Sequence, residues 1–129
     1  MREMTSIEWS IHWRSFNIEY FITKQMTEDE KRAVFVFSSF HPNGYIREQA
    51  IQSLVKYRNV IPFILLRCND WVYQVRQSAF YSLSEVLSHC RNEEIIDALP
   101  VMTTLFRSKR CEYNNILLLI LDFFKRNPT

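Results

Sequence analysis

Apolar residues recur along this chain at helical spacing, and most recurrences are bounded by a capping or breaking residue. Thr5-Ser6-Ile7-Glu8 has capping-box spacing, and behind it Trp9, Trp13, Phe16 and Tyr20 fall at steps of four, three and four. The same stretch also alternates as a strand would, Ile7, Trp9, Ile11 and Trp13 against Glu8, Ser10, His12 and Arg14. The cap and the continuation to Phe21 favour a helix, over about 5–25. A second capping box, Thr27-Glu28-Asp29-Glu30, opens a helix that reaches about Phe40, where His41-Pro42-Asn43-Gly44 stops it. Ile46, Ala50, Leu54 and Tyr57 share a face of the next helix. Val60-Ile61-Pro62 starts another, with proline in the first turn, where its missing N–H is harmless, and this helix ends near Asn69. A further helix runs to about His89, and 95–106 and 113–125 read as two more. The pattern predicts seven helices, no long linker and one all-α domain over 1–129.

Composition sharpens this picture at one point. The chain has a single glycine, Gly44, where average usage would place about nine. Tight turns of sheet proteins need glycine for positive φ, and helices joined by short polar corners do not. The net charge of +2 is too balanced to imply nucleic acid or an anionic membrane. Cys68, Cys90 and Cys111 are odd in number and widely spaced, which suits reduced, buried thiols and a cytoplasmic protein. No apolar run reaches the roughly 18 residues of a membrane span, and Glu3, Glu8, His12 and Arg14 interrupt any signal-peptide core.

The helices repeat. Ile46-Arg47, Ala50 and Leu54 lie over Val75-Arg76, Ala79 and Leu83, each 29 positions on (46 + 29 = 75). Ile61-Pro62 matches Leu99-Pro100, and Leu83 matches Leu121, both at 38 (61 + 38 = 99), with nine extra residues around the polar HCRNEEIID stretch. Through Ile61-Pro62, Asp70, Val75-Arg76, Ala79 and Leu83 the chain resembles the HEAT-repeat family in its short-period form, over roughly Glu28 to Phe124. The resemblance implies a right-handed α-solenoid of about three helical hairpins, at about 27–57, 60–89 and 94–126, sealed by the N-terminal helix. It also implies a ladder between neighbouring units, with Asp70 capping a second helix and Arg76, like Arg47, bonding along the stack. The first unit has His41 in the place of Asp70, and the third has Ser108 and Asn114 in the places of Asp70 and Arg76.

That spacing favours structure over catalysis for the Asp70–Arg76 pair. His12, His41, His89 and the cysteines include no convergent four-ligand set, so no metal and no cofactor is expected. One glycine leaves no phosphate-binding loop, and no motif surrounds a nucleophile. The basic corners, Arg107, Lys109 and Arg110, then Lys56 and Arg58, read as solvated helix ends, and no nucleic-acid partner is expected. Some HEAT-like proteins act on alkylated DNA or on bilin chromophores, and Trp71 and Tyr81 would be the groove aromatics of that alternative. The expected role is instead a non-enzymatic protein-interaction scaffold. Its partner-binding face would be the outward row of second helices: Glu48, Gln52, Gln77, Tyr81, Ser84 and Ser88, polar with one tyrosine. The C-terminal run ILLLILDFF suggests a two-fold dimer with Leu118, Leu119 and Phe123 near the seam; the alternatives are a docking patch for a different protein, or a third unit that folds back to bury the helix.

Overall fold

A computed structural model describes Ile18, residues 22–108 and residues 110–127. Among these residues there are six α-helices: α1 Glu28–Ser38, α2 Gly44–Leu54, α3 Ile61–Arg67, α4 Tyr73–Leu87, α5 Asn92–Leu105 and α6 Tyr113–Arg126. Among the described residues there is no strand. The all-α class is therefore correct. Of the helix expected over 5–25, only Ile18 and residues 22–25 are described. Residues 22–25 are non-helical: Met26 N–H closes a turn on the Thr23 carbonyl. The stripe Trp9, Trp13, Phe16 and Tyr20 lies outside the described residues.

The capping signals act as their chemistry requires. Thr27 Oγ1 accepts from Glu30 N–H at 3.1 Å while Glu30 Oε1 accepts from Thr27 N–H at 3.0 Å, a reciprocal box opening α1. Asn43 opens α2 by accepting from Tyr45 N–H. Pro62 sits in the first turn of α3.

Each helix buries one stripe. Ile46, Ala50, Ile51 and Leu54 are buried on α2, and Ile61, Ile64 and Leu65 on α3. Val75, Ala79, Leu83 and Val86 follow on α4, Ile95, Ala98, Met102 and Leu105 on α5, and Ile116, Ile120 and Phe123 on α6. Except for Val75 they belong to one continuous core cluster. Full burial of each of these side chains other than the alanines is worth about 1.5–3 kcal/mol. Helix α1 packs on α2 and α3 on α4; α3 also packs on α5, α2 on α4, and α4 on α6.

Two sequence expectations fail over α5 and α6. The nine residues read as a polar insertion lie mostly in helix: α5 already starts at Asn92, so Pro100 is an interior residue and no counterpart of Pro62. The match at 38 also misplaces side chains, since Leu83 is fully buried but Leu121 is 48% exposed. Burial follows an offset of 37: Ile61 with Ala98, Leu65 with Met102, Ala79 with Ile116, Leu83 with Ile120 (83 + 37 = 120). In a run as uniformly apolar as ILLLIL, identity matches carry little phase information, and packing selects the register.

Candidate functional site

The corner between α3 and α4 supplies the most organised polar cluster. Asp70 is 3% exposed, and its carboxylate is bridged by the Arg47 guanidinium of α2. Arg47 Nε donates to Oδ2 at 2.8 Å and Nη2 to Oδ1 at 2.9 Å, a bidentate fork. Arg67 Nη1 adds a third charged donor at 3.0 Å, and Val72 N–H a fourth bond at 2.9 Å. Arg47 Nη1 is turned the other way, onto the carbonyls of His41 and Pro42 in its own corner. Burial alone would raise the Asp70 carboxyl pKa. Its bonds from Arg47 and Val72, with the charges of Arg47 and Arg67, outweigh that and hold it below the usual range.

Asp70 and Arg76 do not pair through their side chains. Asp70 pairs with Arg47, 23 positions back on α2. Arg76 donates Nη1 to the backbone carbonyl of Asp70 at 2.8 Å, within its own corner, instead of bonding along the stack. Asp70 supports the entry to α4 through Val72 N–H but is not the N-cap residue, which is Val72. In the third corner neither offset brings an acid to Arg76: Ser108 stands at 38 and Arg107 at 37 (70 + 37 = 107).

His41, in the place of Asp70 in the first unit, accepts from Asn43 N–H through Nδ1. Burial first, then the Arg47 charge, hold its pKa below the ordinary histidine value. A second cluster escaped the sequence reading. Buried Glu94 of α5 accepts from Asn59 N–H at 2.8 Å and Arg91 N–H at 2.9 Å, while Arg32 of α1 donates to the carbonyls of Arg58 and Asn59. Asn59 has φ 57°, the left-handed region uncommon for a residue with a Cβ. The sequence signal was faint: an acid three residues past Arg91, the spacing of a capping box.

The residues expected on the binding face divide. Tyr81 is 69% exposed, and Gln52 and Ser88 are exposed as well. Glu48, Gln77 and Ser84 are half-buried, with Gln52 Nε2 donating to Ser78 Oγ. Gln77 and Tyr81 line a groove of about 200 Å³ with Tyr73, Arg76, Arg110 and Glu112. The proposed seam does not hold together: Leu118 is exposed, Leu119 half-buried, and Phe123 is 2% exposed inside the core. Phe123 cannot serve as a seam residue, because the stripe Ile116, Ile120, Phe123 is the core-facing side of α6.

The remaining chemistry is sparse. Among the described residues no three His, Cys, Asp or Glu side chains converge as metal ligands would. Cys68 is buried and its thiol pKa is raised by that burial; Cys90 is pushed up to about 11 by burial and by Glu94. Of the basic corner, Arg107 and Arg110 are exposed and Lys109 lies outside the described residues. No described helix is long and apolar enough to cross a membrane. No protein-family model, curated protein or solved structure matches the chain.

Proposed function

We propose that this protein is a protein-interaction scaffold built as a short right-handed solenoid of HEAT-like helical pairs, acting in the cytoplasm. The solenoid reading is supported by the packing of α2 on α4 and α4 on α6 in one row, with α3 on α5 in another. The Arg47–Asp70 fork between successive corners supports it too. Free thiols at Cys68, Cys90 and Cys111 suit a reducing compartment.

The interaction reading rests on one observation: tyrosines, an arginine and an uncharged amide share the groove surface of α4. Tyr73 and Tyr81 stand exposed, with Arg76 and Gln77 between them in sequence, and all four line the same groove. Tyrosine and arginine are enriched at protein interfaces and among their energetic hot spots. At about 200 Å³ the groove is below the roughly 300–1,000 Å³ of small-molecule sites, and it suits side chains of a partner surface better than a bound cofactor.

Site-specific photo-crosslinking tests this. Benzoylphenylalanine at Gln77 should give a discrete adduct in cells, and the same group at Glu93, exposed on α5, should not. Tyr81→Ala should remove the adduct while the protein stays folded. Equal labelling from both positions, or a Tyr81→Ala adduct of undiminished yield, would place the interaction elsewhere.

A further inference from the structure

We propose that the α4 groove is a carboxylate receptor, in which Arg76 takes an aspartate or glutamate side chain of a partner protein as Arg47 takes Asp70. The inference rests on the interaction reading above and names the chemistry that its groove selects.

Two arginines make the same kind of contact with their own corners. Both Arg47 and Arg76 turn Nη1 back onto carbonyl oxygens of their own corner, His41 and Pro42 for the first and Asp70 for the second. That contact leaves one edge of each guanidinium, Nε with Nη2, for another acceptor. On Arg47 this edge holds the Asp70 carboxylate at 2.8 and 2.9 Å. On Arg76 the same edge makes no hydrogen bond to any described residue. The guanidinium also lies 5.5 Å from the Tyr73 ring centroid, which fixes its orientation further. A fork already oriented before binding gives up little side-chain entropy when a carboxylate arrives.

Its surroundings favour one negative charge. Arg110 donates Nη1 to the Asn69 carbonyl at 3.4 Å, so the two guanidinium groups hang on successive carbonyls of one corner, Asn69 and Asp70. Glu112 lines the same groove and accepts from Asn115 Nδ2. Two cations and one anion leave a local charge of +1, which a carboxylate balances. A phosphate group, at about −1.5 to −2, would overshoot it beside Glu112. Tyr73 and Tyr81 at the rim then supply the apolar contact of a polypeptide.

The test is an NMR titration of the intact protein, following the Arg76 Nε–Hε cross-peak. The probes are N-acetyl-aspartate N-methylamide, which carries one carboxylate, and inorganic phosphate. The aspartate probe should shift the Arg76 signal saturably and more tightly than phosphate. Arg76→Gln, followed on the backbone amides of Gln77 and Tyr81, should weaken binding roughly tenfold to a hundredfold, the loss of a charge-assisted fork. Arg110→Gln, an exposed change that leaves the helices intact, should weaken it less and keeps the test decisive if Arg76→Gln unfolds. A folded protein whose Arg76 signal ignores the aspartate probe, or follows phosphate more tightly, overturns the inference. Loss of crosslinking from Gln77 with the titration intact would instead remove the scaffold reading and leave the receptor standing.

Discussion

Replacing Asp70 with alanine isolates what holds the corners together. The carboxylate accepts four hydrogen bonds, three from guanidinium groups and one from Val72 N–H, and its side chain has no solvent exposure. Its removal strands the Arg47 charge, 4% exposed, with the His41 and Pro42 carbonyl oxygens and the Trp71 ring beside it but no anion bonded to it. Breaking a buried pair from one side costs about 3–5 kcal/mol. Arg47→Ala should cost about as much. Arg76→Ala removes one hydrogen bond to a carbonyl from a half-exposed side chain, about 1 kcal/mol. The order, Asp70 and Arg47 together and Arg76 well behind, distinguishes the observed pairing from an Asp70–Arg76 pair. Urea unfolding reads it directly: at a slope of about 1–3 kcal/mol per molar, the larger losses lower the midpoint by more than about 1 M. The double mutant Arg47→Ala/Asp70→Ala should lose less than the sum of the singles, by roughly 1–3 kcal/mol. Arg47→Ala within about 1 kcal/mol of the parent, or Arg76→Ala as costly as Arg47→Ala, would refute the pairing.

Three further outcomes follow from the same structure. Because the folded pKa of Asp70 is depressed, its stabilisation is complete above the unfolded-state value of about 3.9 and is lost as pH falls through the lower folded value; acid unfolding of Asp70→Asn should therefore show a shallower slope below that point than the parent. Leu83→Ala should cost about 2–5 kcal/mol by thermal or urea melting, while Leu121→Ala should stay below about 1; equal losses would restore the register of 38. Gly44→Ala should raise stability by about 0.4–1 kcal/mol, since a Cβ there meets Arg47, Val72 and Val75 no closer than 3.5 Å and φ is not positive; a lowered melting point would show that this corner needs its glycine.

Element type was legible where local chemistry decides it. The Thr27–Glu30 box, Pro62 in the first turn of α3 and the four-residue steps of Ile46, Ala50 and Leu54 are each specified by a few neighbouring residues. Register in the third unit was not, because Leu117, Leu118, Leu119 and Leu121 are interchangeable in any alignment. Only contact with α4 decides that Ile116 and Ile120 turn inward. The groove was half-legible: Gln77 and Tyr81 were singled out on α4, while Arg76 was assigned to the ladder and Arg110 to a solvated corner.

The partner of Asp70 was recoverable from the pattern of departures. A pair formed within one unit makes Arg47 beside His41 anomalous, a retained arginine with no acid. A bond that runs from the arginine of one unit to the acid of the next removes the anomaly. The first corner has a histidine in that position, whose Nδ1 accepts from Asn43 N–H and closes the turn. The second corner needs an acid, and has Asp70. The same rule requires an acid at the third corner to serve Arg76, and the chain has Arg107 and Ser108 there. Ser108 Oγ donates to Asn69 Oδ1, so that corner is tied to its neighbour without a carboxylate. Nε and Nη2 of Arg76 are therefore without a hydrogen bond to any described residue, and Arg76 lines the groove beside Tyr73 and Tyr81.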